Sequence, residues 1–501
     1  MIMLTKLTIE EIRSGIARKE FTYSDLLGAY EQNYKKFRAL NADISEYWES
    51  ARQQAQDLDA NPVQNRALNG IPIAIKDMFL VKGTRTTAAS KIFENFVAPY
   101  ESFTTGKLKE NGAIFPYKTN LDEFAMGSSG LTSAFGPTIN PWVLSDRVLR
   151  VPGGSSSGSA ASVAAFMALG ATGTDTGGSI RQPSAFCGIV GIKPTYGRCS
   201  RRGVVAFGSS LDHPGVFARN VQDACIILEA MAGYDALEAT SLNAEVPKLA
   251  ILAGNVKGKR IGIVESEFEI MPEEYKNSMK NLLENLRSEG AQLLPVQLPS
   301  FEDALKIYYI IAPAEAASNL ARYDGIAYGA RENGREYEEI LHSTRHKFGQ
   351  EVKRRILVGN FVLYAAEYDK FFGKALKLRA QIRQKMDELF ENFDVILLPT
   401  TPSVAFPIGQ QRTAIEMYRE DIYTILANIY GGPAMNVPLC AISVEGAKEG
   451  QKADGNFDCL KSQTKLPMGL QIMAKREDEV NMIEVAKKIE KIVAWKGWEN
   501  V

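Results

Sequence analysis

The chain has 501 residues, and its charges nearly balance, with 58 Lys and Arg against 59 Asp and Glu and a net charge of -1. This length allows a large buried core, and the absence of a basic excess argues against a chain that grips nucleic acid by itself. The five cysteines are an odd number without a C-x-x-C pair. They argue against a disulfide framework and a zinc site and favour a reducing compartment.

The N-terminal segment does not have the pattern of a signal peptide, because Lys6, Glu10 and Glu11 interrupt its apolar residues. The longest apolar stretch, at 163–171, is too short to span a membrane. We therefore expect a soluble, cytoplasmic protein with no membrane partner. These features do not distinguish a bacterial cytoplasm from an organelle.

The predicted elements change in character along the chain. Residues 9–60 have a helical pattern with Thr8 as a candidate N-cap, which predicts an N-terminal helical layer at about 1–65. Strands are then predicted at 71–75, 113–115, 260–264 and 394–398, and helices at 104–110, 160–165, 273–288 and 478–495. This alternation is typical of an α/β fold. Without linkers between these segments, we expect one large domain over 1–501, with its chemistry-bearing core at about 66–220.

A Gly- and Ser-rich region between residues 152 and 188 contains two Gly-Gly-Ser clusters, at 153–155 and 177–179. The Ala-rich segment between them predicts a helix whose small side chains allow close packing on a sheet. The loop before it would present N–H groups and hydroxyls at a helix N-terminus, which favours negative charge. No G-K-[ST] follows the loop, so nucleotide binding by this chain is not supported.

A serine nucleophile in this region would need a base, and histidine is a poor candidate. The chain contains three histidines, each more typical of a surface or structural position: His213, His342 and His346. A G-x-S-x-G match centred on Ser156 is weak in a run so rich in Gly and Ser. A second weak match, S-x-x-K at 462–465, lies in the polar segment 445–465, which predicts an exposed loop without chemistry.

Lys76 is the alternative base. It ends the apolar run 71–75, where burial can remove the charge of an amine. A neutral amine can accept a proton that one serine hydroxyl relays from a second, attacking serine. The backbone N–H groups of Thr176, Gly177 and Gly178 would hold the oxyanion. The residues alone leave two interpretations open: Ser-Ser-Lys amide chemistry, or a structural turn before a buried helix.

Three segments together resemble the amidase signature family: 70–77, 118–129 and 152–197. The resemblance implies an α/β amidase signature fold, in which a large, mixed, twisted β-sheet is covered by helices on both faces. It also implies that Lys76 is the base, Ser155 the relay with a cis peptide, and Ser179 the nucleophile that forms an acyl-enzyme.

Within the family, segments 122–129, 179–183, 348–356 and 417–421 are most similar to the glutamine-hydrolysing subunits of tRNA-dependent amidotransferases. This similarity implies that Arg355 binds the α-carboxylate of glutamine and Asp421 its α-amino group. A free amino acid presents one anion and one cation, which such a pair complements. Taken alone, Arg355 has an alternative interpretation, an ion pair on a helix surface.

The resemblance implies a glutaminase that supplies ammonia to a partner. That partner would be a second amidotransferase subunit that holds the mischarged tRNA, ATP and magnesium, and a small third subunit would complete the heterotrimer. This chain itself would bind no cofactor or metal. Glu-tRNA(Gln) and Asp-tRNA(Asn) are not distinguished as final acceptors.

Two other functions are considered. The first is a free-standing amidase of the same family that acts on small or acyl amides. The second is an inactive scaffold, against which the joint presence of Lys76, Ser155 and Ser179 argues.

The sequence departs from the family pattern at Met78, at 116–117 (Pro-Tyr) and at His213. None of these departures removes a proposed catalytic group. Because Met78 lies two residues from the proposed base, we expect it to affect the pKa or the packing of Lys76.

Overall fold

The computed structural model describes residues 3–63, 66–444, 450–453, 460–461, 465–495 and 497. The α-helices are α1 (Ile9–Ala17), α2 (Tyr23–Lys36), α3 (Trp48–Ala60), α4 (Phe103–Glu110), α5 (Ser157–Ala164), α6 (Arg181–Cys187), α7 (Val221–Met231), α8 (Glu265–Glu269), α9 (Glu273–Ser288), α10 (Phe301–Leu320), α11 (Tyr337–His346), α12 (Gln350–Leu363), α13 (Phe372–Leu389), α14 (Ala414–Arg419), α15 (Ile425–Tyr430) and α16 (Glu479–Val493). The strands are β1 (Asp43–Glu46), β2 (Ile73–Lys76), β3 (Tyr117–Thr119), β4 (Trp142–Val143), β5 (Gly170–Asp175), β6 (Val190–Lys193), β7 (His213–Ala218), β8 (Arg260–Ile263), β9 (Gln292–Pro295), β10 (Val395–Pro399), β11 (Ala434–Ser443), β12 (Leu460–Lys461) and β13 (Lys465–Ala474). Short 3-10 helices lie at Leu4–Lys6, Arg38–Leu40, Lys91–Phe93 and Glu123–Ala125.

The centre of the molecule is an eleven-stranded mixed sheet with the order β1-β3-β2-β5-β7-β6-β11-β13-β10-β8-β9. Strand β2 is parallel to both of its neighbours, β3 and β5, whereas β5 and β7 are antiparallel. Helices flank this sheet, and β4 and β12 form a small parallel pair apart from it. The α/β fold with a large mixed sheet is confirmed. In the described residues, no helix has the length and apolar character needed to cross a membrane.

Strands β2, β5 and β10 are buried along their whole length, and the apolar residues of β2 and β10 are typical of such strands. Most predicted strands and helices lie within a few residues of observed ones. The predicted strand at 113–115 is wrong, because Ile114 makes only an isolated bridge to Pro72. The paired strand begins at Tyr117, after Pro116, which has no N–H to give to a ladder.

The N-terminal layer contains α1, α2 and α3, and α1 begins with a capping box in which Thr8 is the N-cap. The helical prediction for 9–60 missed the edge strand β1, which pairs with β3. The 3-10 helix Arg38–Leu40 precedes β1, and its C-cap Asn41 turns the chain with a left-handed backbone (φ 51°).

The Ala-rich segment forms α5, which is buried on every side. Its small side chains permit a very close approach, since a Cβ at Gly158 would lie 2.2 Å from the carbonyl oxygen of Ala42. One continuous set of buried apolar residues extends from Ile9 to Ile489.

The predicted exposed loop at 445–465 is only partly described. Residues 445–449, 454–459 and 462–464 lie outside the described residues, and with them most of the S-x-x-K match. The loop prediction is wrong for 460–461, which form β12 beside Trp142 and Val143.

Candidate active site

Lys76 is the last residue of β2, and its amine lies in a cluster of hydroxyl groups. The backbone N–H of Lys76 donates to Thr172 Oγ1 on the neighbouring strand β5, at 2.9 Å. Its Nζ lies 3.0 Å from Ser155 Oγ, 2.8 Å from Ser156 Oγ and 2.8 Å from Thr174 Oγ1. The structure therefore brings Lys76 and Ser155 together. It also adds Ser156 and Thr174, which sequence reasoning did not assign as partners of the lysine.

Burial lowers the pKa of Lys76 to about 7, because a charged amine loses its hydration there. The carboxylates of Asp122, Asp212 and Asp175 favour the charged form, but less strongly than burial opposes it. A substantial fraction of the amine is therefore neutral near pH 7. In that form it can accept a proton from one of the hydroxyl groups around it.

The loop that carries Ser155 is fixed by buried polar contacts. The Gly154–Ser155 peptide is cis. The N–H of Gly154 donates to Gln182 Oε1 at 2.9 Å, and the carbonyl of Ser155 accepts the N–H of Asp122 at 3.1 Å. A Cβ at Gly154 would lie 2.0 Å from Asp122 Oδ2, so only glycine fits there.

Ser179 lies in the turn after β5, beside the lysine cluster. It is 8% exposed, and its carbonyl accepts the N–H of Ser156 at 3.3 Å. The buried carboxylate of Asp175 holds this turn by accepting the N–H groups of Gly178 at 2.9 Å and Ile180 at 3.1 Å. Burial alone would raise the pKa of Asp175. The ion pair with Arg181, together with Lys193 and a hydrogen bond from Asn428, outweighs burial and holds that pKa well below its ordinary value.

Only part of the predicted oxyanion site has free donors. The N–H of Gly178 donates to Asp175 at 2.9 Å. In the described part of the chain, the N–H groups of Thr176 and Gly177 have no protein acceptor. A Cβ at Gly177 would lie 2.7 Å from Tyr308 Cζ, so a glycine is needed where α10 meets this loop.

Arg355, on α12, is buried in an aromatic box. The Cζ atom of its guanidinium lies 5.4 Å from the ring centre of Phe207, 5.6 Å from that of Tyr309 and 5.7 Å from that of Tyr418. Its Nε donates to Glu351 at 2.8 Å. Among the described residues, its two Nη atoms make no hydrogen bond.

Asp421, just after α14, is also buried, and burial raises its pKa well above the ordinary value. The charge of Arg355 counteracts this effect, yet no ion pair joins the two groups within the described residues. The hydroxyl of Thr424 lies 2.9 Å from the carbonyl oxygen of Asp421 and 2.6 Å from that of Gly177. Asp421 is therefore adjacent to the candidate oxyanion loop.

Asp212 was missed as a site residue. Its carboxylate accepts the hydroxyl of Thr176 at 2.7 Å and the N–H of Phe207 at 2.9 Å, so it links the oxyanion loop to the aromatic box. Burial raises the pKa of Asp212 to about 6. In the sequence, Asp212 is marked only by its position directly before His213, one of the departures from the family pattern.

The departures and the other histidines have distinct places. Met78 is buried, and its Sδ lies 3.8 Å from Thr174 Oγ1, so it contacts a partner of the lysine. His213 is buried with a pKa far below the ordinary value, owing first to burial and then to Lys193. His342 and His346 are exposed on α11. The described residues contain no group of three or more His, Cys, Asp or Glu that could hold a metal ion.

The Amidase family model matches residues 25–483, and the chain belongs to this family. The chain is 46% identical to the A subunit of glutamyl-tRNA(Gln) amidotransferase from Nitrobacter winogradskyi, over 98% of each sequence. The crystal structure of the protein of that name from Thermotoga maritima has a TM-score of 0.74 and 37% identity, with 97% of this chain and 95% of that chain covered. A peptide amidase from Stenotrophomonas maltophilia has a TM-score of 0.79 and 26% identity, with 98% of each chain covered.

Proposed function

We propose that this chain is the glutamine-hydrolysing subunit of a tRNA-dependent amidotransferase. The observation that carries the proposal is the buried pair of opposite charges, Arg355 and Asp421, which have no ion pair with each other. Arg355 pairs with Glu351 through Nε alone, and Asp421 has no ion pair among the described residues. Because buried charges need partners, a site that keeps both groups is suited to a ligand that carries an anion and a cation. The α-carboxylate and α-ammonium of a free amino acid meet this requirement.

The reaction begins at the hydroxyl cluster. Neutral Lys76 takes the proton of Ser155, Ser155 takes that of Ser179, and Ser179 Oγ attacks the side-chain amide carbon of glutamine. The N–H groups of Thr176 and Gly177 stabilise the oxyanion. The proton held by Lys76 returns through Ser155 to the leaving nitrogen. The C–N bond of the tetrahedral intermediate then breaks, so ammonia departs and the acyl-enzyme on Ser179 remains. Water, deprotonated by the same relay, then releases glutamate and restores the hydroxyl of Ser179.

The kinship with amidotransferase subunits supports transfer of the ammonia to a partner. Two further subunits complete the complex, and one of them holds the mischarged tRNA, ATP and magnesium, where ammonia converts Glu-tRNA(Gln) or Asp-tRNA(Asn) to the amide. The net charge of -1 supports this division, because the chain lacks the basic excess that tRNA binding requires. A cytoplasmic location fits this role.

A free-standing amidase is the second candidate, and the similarity to a peptide amidase favours it. The same serine and lysine groups would serve such a reaction. An apolar or acyl amide, however, would offer no anion to the buried Nη atoms of Arg355, whose Nε already pairs with Glu351, and no cation to the buried Asp421.

The test is ammonia release from glutamine and from a panel of uncharged primary amides. It uses the wild type and Ser179→Ala, each alone and with the two partner subunits and charged tRNA. We expect release that is selective for glutamine, requires Ser179 and increases with partners and tRNA. Hydrolysis of uncharged amides that ignores both glutamine and the partners would overturn the proposal in favour of the free-standing amidase.

A further inference from the structure

A buried carboxylate outside the hydroxyl cluster joins the core to the helix that carries Arg355. Glu123 belongs to the 3-10 turn Glu123–Ala125, between the core strand β3 and the Ser155 loop. It is 1% exposed, and its Oε2 accepts the N–H of Gly349 at 2.7 Å. Gly349 is the N-cap of α12.

Helix α12 does not supply this contact from its own sequence. Its N-cap is glycine, which has no side chain, and its third residue is Val352, so a local capping box cannot form. In α1, by contrast, Glu11 of the same helix accepts the N–H of the N-cap Thr8 at 2.8 Å. Glu123 therefore accepts the N-cap N–H of α12 as Glu11 accepts that of α1, although Glu123 is distant from α12 in the sequence.

The contact is tightly built. The second oxygen of Glu123, Oε1, accepts the hydroxyl of Ser90. The rings of Phe124 and Phe348, the neighbours of the two bonded residues, meet edge to face at 5.7 Å. A Cβ at Gly349 would lie 2.3 Å from Glu123 Oε2, although the backbone there (φ -65°) is one that any residue can adopt.

The C-terminal part of α12 is also held in close contact, by α10. A Cβ at Gly359 would lie 2.1 Å from the carbonyl oxygen of Pro313 in α10, so the two helices touch at their backbones. Arg355 lies between these two points, and its guanidinium fits among three aromatic rings. A small shift of α12 along its axis would therefore displace the guanidinium from its box.

We propose that Glu123 is a positioning residue for Arg355: by binding the N–H of Gly349 it fixes the start of α12, and thereby sets the affinity for an amide substrate that carries an α-carboxylate. The inference rests on the proposed function for its substrate. Glu123 does not touch the reacting atoms, so its loss should weaken substrate binding rather than slow the chemistry at saturation.

The first measurement compares KM and kcat for glutamine in the full complex for the wild type, Glu123→Ala and Glu123→Gln. Because the substitution leaves the N–H of Gly349 without its acceptor, we expect KM to rise about tenfold in Glu123→Ala with kcat within about threefold. A glutamine side chain can still accept the N–H of Gly349, so Glu123→Gln should recover most of the affinity. Glu11→Ala, which removes the equivalent contact from α1, is the matched control and should leave KM unchanged.

The second measurement is a double-mutant cycle with Gly349→Ala. The added methyl group collides with Glu123 in the wild type, so Gly349→Ala should also raise KM about tenfold by the same loss of contact. In Glu123→Ala the methyl group has room, and the second substitution should change KM by less than about twofold if the two residues act as one contact.

Additive effects of the two substitutions would overturn the inference, and so would equal losses in kcat and KM or an equal effect of Glu11→Ala. The proposed function fails separately, if the wild-type complex does not hydrolyse glutamine. In that case the contact can still be tested by thermal unfolding of the wild type, Glu123→Ala, Gly349→Ala and the double variant. Additive changes in melting temperature would show that the two residues do not act as one contact.

Discussion

The two ends of the candidate site differ in how well their polar groups are satisfied. At the catalytic end, the amine of Lys76 has three hydroxyl partners, and Asp175 is paired with Arg181. At the substrate end, Arg355 and Asp421 are buried without an ion pair to each other. The charged groups of the catalytic end therefore have their partners before substrate arrives. At the substrate end Arg355 is paired only through Nε with Glu351, and Asp421 gains a cationic partner only with a ligand. The comparison suggests that chemistry and binding can be disrupted separately.

The largest effect is expected at the catalytic end. Lys76→Met keeps an unbranched buried side chain but removes the base, so kcat/KM for glutamine should fall by about 10⁴-fold or more. Glutamine binding to the variant, measured by calorimetry, should stay within a few-fold of that of Ser179→Ala. A variant that retains a tenth of the wild-type rate would exclude Lys76 as the base.

Arg355→Ala should reduce kcat/KM for glutamine by about 10²-fold, because the α-carboxylate loses a charge-assisted partner. The neighbouring Arg354→Ala is the matched control, since Arg354 also pairs with Glu351 but its side chain is 54% exposed. Steady-state ammonia release should leave that control nearly unchanged. Similar losses in both variants would mean that Glu351, rather than the substrate, is the partner that matters.

Asp421→Asn should increase the stability of the protein and weaken its binding of glutamine. Burial raises the pKa of Asp421, so its charged form destabilises the fold, and this cost grows as pH rises above the ordinary carboxyl value. At pH 8 we expect a gain of about 1 kcal/mol in the free energy of unfolding, measured by urea denaturation, together with weaker glutamine binding. A loss of stability at pH 8 would show that a protein group already neutralises Asp421.

The smallest effect concerns the pH dependence of the base. Since the neutral form of Lys76 is required, kcat/KM should rise with pH through about 7 and then level off. In Met78→Asn, the amide oxygen would accept the hydroxyl of Thr174 and leave that oxygen freer to stabilise the ammonium form. The rise should then move to higher pH by about half a unit. An unmoved pH–rate profile would contradict this role of residue 78.

The sequence was informative where one local pattern carries the structure. The apolar run before Lys76 predicted a buried strand that ends in a desolvated amine, and the alanines after Ser159 predicted a helix packed closely against its neighbours. The sequence-based prediction failed where strand formation depends on pairing with a distant segment. Residues 113–115 are as apolar as a strand, yet the ladder begins only after Pro116, and β1 is too short and polar to stand out in a helical region.

The site divides in the same way. By itself, the sequence determined the α/β class, the glycine-rich turns and the residue types needed for Ser-Ser-Lys chemistry, because these depend on neighbours along the chain. Only the tertiary structure decided that Ser156 and Thr174 also contact the lysine, that the N–H of Gly178 is occupied by Asp175, and that Glu123 meets Gly349. Those contacts join residues from separate segments, and each exists only because the packed sheet and helices bring a donor within reach of an acceptor.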